Sequence, residues 1–269
     1  MRHTVFFTVT ISVIMLLTVV ECAAYNAGNS DVIANEKIQQ LFLSEIKNSS
    51  KYEHLPKPPA EHPRVFFTKA YLPILKENLK SEVMRSSYEY IKKLSQAELP
   101  PQPGVMSAAV ARQLEARAFM YAIGEVSAEH AKETIAYTIE YLSNPKTLQT
   151  STIGIYKDFG MNGITPGAFV YDWCYDRMTP SDKSRLGAAI VRMMLDERQI
   201  VRPDNTDDVK IWNELCNYAA GEPLKYMSVA MIALYDEYPQ LYHAMAEKIL
   251  GSMADARKML FKAGNVIRG

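Results

Sequence analysis

The stretch Val105-Met-Ser-Ala-Ala-Val-Ala-Arg-Gln-Leu-Glu-Ala-Arg-Ala-Phe-Met-Tyr-Ala-Ile-Gly124-Glu-Val-Ser127-Ala-Glu-His-Ala-Lys-Glu-Thr-Ile-Ala-Tyr-Thr-Ile-Glu-Tyr-Leu142 decides the fold class. Its first half, to Ile123, is rich in alanine and free of proline, and Gly124 follows as a helix terminator. Ser127 then stands as an N-cap, and Ala128, Ala131, Ile135, Ile139 and Leu142 recur at the spacing of one helical face. Two helices joined by three or four residues must lie side by side and antiparallel.

The same signature extends in both directions. Upstream, Thr68 is placed as an N-cap before Leu72, Leu75, Leu79, Val83, Tyr88, Ile91 and Leu94, a spacing that predicts one long helix closed by Leu99-Pro-Pro-Gln-Pro-Gly104. Downstream, Thr179-Pro-Ser-Asp182 combines an N-cap, a proline at the first helical position and an acidic first turn, and predicts a helix to about Arg198. A further apolar run from Leu224 to Tyr235 leads through Asp236-Glu-Tyr-Pro239 to a helix carrying Leu241, Met245, Ile249, Met253 and Leu260. No stretch alternates with period two, so the class is all-α.

Consecutive helical hairpins can form a bundle, a solenoid or a ring. A repeat of fixed period, the mark of a solenoid, is not seen. The connections at 143–165 and 199–221 are roughly twenty residues each, where bundle connections run to about 2–8. Tight turns alternating with long loops suit an incomplete α/α toroid, whose long loops line a cleft and carry its binding residues.

Of the 269 residues, 48% are hydrophobic and 22% charged, with 30 basic side chains against 30 acidic ones. This excludes whole-chain disorder and leaves no overall positive charge for a nucleic acid, although a local basic groove stays open. Residues 1–24 read as a signal peptide. Arg2 precedes the apolar run Val5 to Val20, and Cys22, Ala23 and Ala24 follow, so cleavage is expected near Ala24. An uncleaved anchor and lipid attachment at Cys22 are the competing readings, and no span is expected in the mature chain. Residues 25–61, with an amphipathic piece from Ile38 to Ile46 and the run Leu55-Pro-Lys-Pro-Pro, read as an arm or linker before a toroid domain over 62–269. Export would permit a disulfide between Cys174 and Cys216; two buried thiols are the alternative. With no histidine near them they make no structural zinc site, and no metal or cofactor is expected.

Three segments carry a resemblance. His62-Pro-Arg-Val-Phe-Phe-Thr-Lys-Ala-Tyr-Leu-Pro-Ile-Leu-Lys76, Tyr171-Asp-Trp-Cys-Tyr-Asp-Arg-Met-Thr-Pro-Ser-Asp182 and Ala233-Leu-Tyr-Asp-Glu-Tyr-Pro-Gln-Leu-Tyr242 resemble, in order and separation, the N-terminal part of the heparinase II/III-like polysaccharide lyases. The resemblance covers about residues 55–269. It implies an α/α toroid followed by β-sandwich domains, here truncated before them, and an acidic polysaccharide such as heparin, heparan sulfate or alginate cleaved by β-elimination. Such chemistry needs a neutralised uronate carboxylate, a base and an acid, and neither metal nor nucleophile.

The candidate loop is Trp212-Asn-Glu-Leu-Cys-Asn-Tyr-Ala-Ala-Gly-Glu-Pro223. Trp212 offers a flat face for a sugar or a core side chain. Asn213, Asn217, Tyr218 and Glu222 offer hydrogen bonds to a carboxylate or hydroxyls, with Glu222 and Asn217 as the catalytic candidates. The other reading of Glu222, with Pro223, is an ordinary first helical turn favoured by the dipole, and that reading leads. The resemblance implies a histidine three residues before the glutamate, and that offset lands on Ala219; the family's tyrosine would lie beyond the Gly-rich turn at the chain's end. Tyr156 and Asn162, in the 143–165 connection, could reach the cleft or stabilise their loop. Asp172 and Trp173 read as locking an inner helix against its neighbour, with sugar contact as the other option. His62 and His130 lack ligand-spaced partners and read as structural or surface groups. Five basic residues from Lys248 to Arg268 face Asp255 alone, either as a solvated helix face or as a contact for an anionic glycan. A noncatalytic helical glycan-binding or scaffold protein is the competing function.

Overall fold

The computed structural model describes residues 57–103, 106–144, 162–196 and 218–246. The arm before Lys57, most of both long connections and the basic stretch after Ala246 lie outside them. Among the described residues there is helix and no strand, as the spacing requires. No described helix is long and apolar enough to cross a membrane.

Among the described residues eight α-helices follow one another. They are α1 (Leu72–Leu79), α2 (Glu82–Gln96), α3 (Ala108–Ala122), α4 (Ala128–Ser143), α5 (Thr165–Trp173), α6 (Pro180–Asp196), α7 (Tyr218–Ala233) and α8 (Pro239–Ala246). Short 3₁₀ turns at Lys69–Tyr71 and Tyr175–Arg177 precede α1 and follow α5.

The hairpin of α3 and α4 forms as its residues dictate. The Ser107 hydroxyl accepts from the Ala109 amide, and Ser127 from that of His130. Between them Gly124, at φ +76°, ends α3 with two bonds, Glu125 N–H to Met120 O at 2.9 Å and Gly124 N–H to Tyr121 O at 2.8 Å. This paired closure needs a left-handed residue, which glycine adopts without steric cost. At α6 the capping box is also present: Thr179 Oγ1 accepts from the Asp182 amide at 3.1 Å, and the Asp182 carboxylate accepts from the Thr179 amide at 3.0 Å.

One long helix over 72–94 is not what forms. The chain breaks at Lys80 and restarts after Ser81, which is extended at φ −63° and ψ 150°. A continuous helix would have kept Val83 on the apolar stripe, whereas Val83 is 86% exposed. The restart turns Tyr88 and Ile91 onto a small cluster of Leu79, Met120 and Ile123. Ser81 followed by Glu82 is an N-cap signal that the uninterrupted leucine spacing overrode.

Two rows of helices result. Helices α3, α5 and α7 pack side by side, with α4 and α6 behind them. The C-terminal ends of α3, α5 and α7 meet: Tyr121 bonds to Asp176, and Tyr175 to Glu237. These three helices therefore run in the same direction. Met106, just before α3, lies against Gly163, just before α5, together with Met193 near the end of α6. Ser107 N–H donates to Tyr141 Oη near the end of α4. Helices α4 and α6 thus run opposite to the first row.

At the centre α5 is buried at every residue from Pro166 to Trp173. Each large apolar side chain so covered contributes about 1.5–3 kcal/mol. Close approach of the back row depends on Gly167, where an added Cβ would come 2.7 Å from Leu142 Cδ1 and 3.0 Å from Ile190 Cγ1. Gly167→Ala is expected to cost about 1–3 kcal/mol by overpacking, read as a lower midpoint in urea with an unchanged slope.

A second tie joins α2, α3 and α4. The buried Arg117 donates from Nε to Thr134 Oγ1 at 3.1 Å, from Nη1 to Ser95 O at 3.4 Å and from Nη2 to Glu133 at 3.3 Å.

Candidate functional site

Because the front helices share one direction, the connections sort by length to opposite ends. The turns after α3, α5 and α7 are short and lie together at the C-terminal end of that row. The chain from α4 to α5, and from α6 to α7, is long, and both pieces join the other end. Arg192 Nη2 and Leu142 O, 2.8 Å apart, tie α6 to α4 there, and Asn144 Nδ2 donates to Pro103 O at 2.9 Å.

Of the residues singled out in the sequence, Asn162 is described and sits at this long-connection end. It is buried, in a wide turn over 162–164 that leads into α5. Tyr156, Trp212, Asn213, Cys216 and Asn217 lie outside the described residues. Tyr218 and Glu222 are the first and fifth residues of α7, which begins five residues before Pro223. The second half of the expected loop is therefore helix, and its first turn holds no acidic residue, so Glu222 does not serve as a first-turn carboxylate. Proline near a helix start forfeits a single backbone bond, and Tyr218-Ala-Ala supplies the residues that extend the helix ahead of it.

The best-defined polar cluster is at the opposite end, and it joins the three segments that carry the resemblance. Asp172, buried on α5, accepts from His62 Nδ1 at 2.6 Å, from the Arg64 amide at 2.9 Å and from the Val65 amide at 2.9 Å. The Arg64 guanidinium reaches Asp236, just past α7, through Nη1 at 3.1 Å and Nη2 at 3.2 Å. It also donates to Ala233 O at 3.0 Å and Pro59 O at 3.2 Å. His62 Nε2 completes the junction, 3.2 Å from Asp236 Oδ2. Partial burial pushes the Asp236 carboxyl up, but Arg64 and His62 outweigh it and hold it below the usual carboxylate range.

Asp172 and Trp173 are thus a lock, as their setting in the sequence suggested, but onto the N-terminal segment rather than a neighbouring helix. Trp173 Nε1 donates to Val65 O at 3.2 Å, and its ring lies between Phe169 at 4.4 Å and Phe67 at 5.4 Å. Tyr175 carries His62 on one side at 3.6 Å and the Lys183 ammonium at 3.4 Å from its ring centre. Burial and the Glu237 carboxylate push its phenol up to about 12.

A cleft of about 540 Å³ opens beside this junction, lined by Glu61, His62, Lys69, Tyr121, Trp173 and Asp176 among others. Trp173 is buried among Phe67, Phe119 and Phe169 and is too little exposed to stack a sugar. Both ring nitrogens of His62 are engaged, Nδ1 with Asp172 and Nε2 with Asp236. The junction holds the segment in place. Cys174 is a buried thiol without a disulfide among the described residues, and burial pushes it well above its usual range. Arg64 and Asp236 were not singled out by sequence reasoning, although both stand inside the segments quoted for the resemblance. When the chain is compared with family models and with curated proteins, none of either matches.

Proposed function

We propose that this chain supplies the α/α toroid portion of an exported polysaccharide lyase that acts on uronic-acid-containing glycans by β-elimination. The supporting observation is the direction of the helices: three parallel helices backed by antiparallel ones, with the helix ends that the two long connections join all at one end, is the arrangement that an arc of an α/α toroid needs for its sugar cleft. The meeting of the three resemblance segments in one junction agrees with it. On this reading the sugar is held at the long-connection end, by the residues around Asn162 and the start of α7. The turn-end junction is the brace that fixes the helices.

A lyase of this kind must recognise the carboxylate it neutralises. Residues 25–269 are expected to bind alginate, heparin and heparan sulfate weakly in dilute buffer and to lose that binding in high salt, where the screening length falls to about 3 Å. Carboxyl-reduced alginate is expected to bind at least about tenfold more weakly. Elimination depends on base, acid and carboxylate neutralisation acting as a unit, so residues 25–269 alone should form no unsaturated uronate, followed by ultraviolet absorbance. Equal affinity for the carboxyl-reduced polymer, or no binding by helical protein at low salt, would sink the reading. Robust turnover would place the catalytic groups within these residues, and Asn213, Asn217, Tyr218 and Glu222 would be the first to substitute.

A further inference from the structure

The segment held by the junction ends in a strained conformation. Phe66 has φ +66° and is the one described residue other than glycine with a positive φ. A bulky side chain rarely adopts this region, and a residue kept there against strain is a candidate for function. Both flanks impose it. On one side the Arg64 and Val65 amides are bound to Asp172, Val65 O is bound to Trp173, and the Val65 side chain is buried. On the other, Phe67 is buried against Trp173 and Phe119. A glycine would meet the same backbone demand without strain.

The chain places a phenyl ring there instead and leaves it 47% exposed. Its ring contact is with Phe169, at 5.4 Å and tilted by 55°. Phe169 is in the middle of α5, one turn nearer the long connections than Trp173. The back row reaches α5 from the side of Gly167, whereas Phe169, Asp172 and Trp173 point to the opposite side. Phe66 therefore stands on the face of the front row turned away from α4 and α6, against the middle of α5 and so between the junction and the long-connection end.

We propose that Phe66 is a sugar-binding platform, on which the apolar C–H face of a pyranose ring stacks. This rests on the glycan reading above and adds to it a binding residue far from Trp212 along the sequence. An exposed aromatic ring brings large contact area with little side-chain entropy to lose. The three hydrogen bonds behind it hold the ring in position before the sugar arrives.

The test separates stability from binding in the same variants. Affinity for a size-fractionated alginate oligosaccharide is measured by titration calorimetry at low and moderate salt, beside thermal unfolding, for wild type, Phe66→Gly and Phe66→Trp. The expected result is that Phe66→Gly lowers affinity about tenfold while its Tm stays equal or rises, and that Phe66→Trp keeps the affinity. Stacking is uncharged, so the ratio between wild type and Phe66→Gly should persist as salt weakens both. Unchanged affinity in Phe66→Gly overturns the platform but leaves the glycan reading standing. A fall in affinity that follows a fall in Tm also overturns it, by assigning Phe66 a structural role. Failure of folded wild type to bind overturns both.

Discussion

Asp172→Ala is expected to cost about 3–5 kcal/mol of stability, because three buried donors lose the acceptor they share. The carboxylate is buried and accepts from the His62 ring and from the Arg64 and Val65 amides. Its loss strands two backbone donors and the Nδ1 of His62 in a buried place, and each stranded group carries its own desolvation cost. The segment would then be held mainly by Arg64 and His62 on Asp236, which is part-exposed. Urea unfolding followed by tryptophan fluorescence measures this directly, because Trp173 is bonded to Val65 and should redden as the segment loosens. Asp172→Ala and Asp236→Ala share the His62 and Arg64 partners, so their effects should depart from additivity by about 1–3 kcal/mol. A loss below about 1 kcal/mol for Asp172→Ala would mean that the segment is not held by this junction.

Glu115→Gln should act in the opposite direction, and only above acid pH. Burial on α3 pushes the Glu115 carboxyl up to about 7, with Arg112 opposing it only in part. The folded state thus prefers the protonated acid. Ionising it costs stability, a cost that is absent below the ordinary value of 4.5, grows as pH rises and is complete above about 7. At about 1.36 kcal/mol per unit, the full cost is about 3 kcal/mol. Glu115→Gln, which keeps the shape and removes the charge, is expected to raise stability by up to that amount near pH 8 and to change it little near pH 4.5. Chemical denaturation of both proteins at the two pH values is the measurement, and an equal gain at both would refute the effect. Asp236 gives the reverse dependence, because its carboxyl is held below the usual range. Its contribution is present above the unfolded value of 3.8 and is lost as pH falls through the lower folded one. The two windows do not overlap, so each can be read separately.

What was legible in the sequence, and what was not, divides by the range of the interactions involved. The helical class, the α3–α4 hairpin with its Ser107 and Ser127 caps and its Gly124 turn, and the capping box at Thr179 depend on residues within one or two turns of each other. Local spacing and capping chemistry therefore determined them. The break at Ser81 is where local reasoning went astray, since Leu79 and Val83 continue a good helical spacing and only the demand of Met120 and Ile123 for Tyr88 and Ile91 rotates α2. The start of α7 at Tyr218 rather than at Pro223 was masked by a proline that reads as a first-turn residue. The junction was hardest of all. His62 is separated from Asp172 by 110 positions and from Asp236 by 174, and no spacing rule links residues so far apart.

The sequence by itself determined that the chain is helical, where its hairpins turn and which connections are long, because each of these follows from the neighbours a residue has along the chain. Only the tertiary structure decided that α3, α5 and α7 run in one direction, that Asp172 and Asp236 clamp the segment at His62 and Arg64, and that Phe66 is left in a left-handed conformation with its ring exposed. Those outcomes depend on which surfaces are buried against one another once the helices pack. A buried carboxylate takes whatever donors the fold brings within about 3 Å.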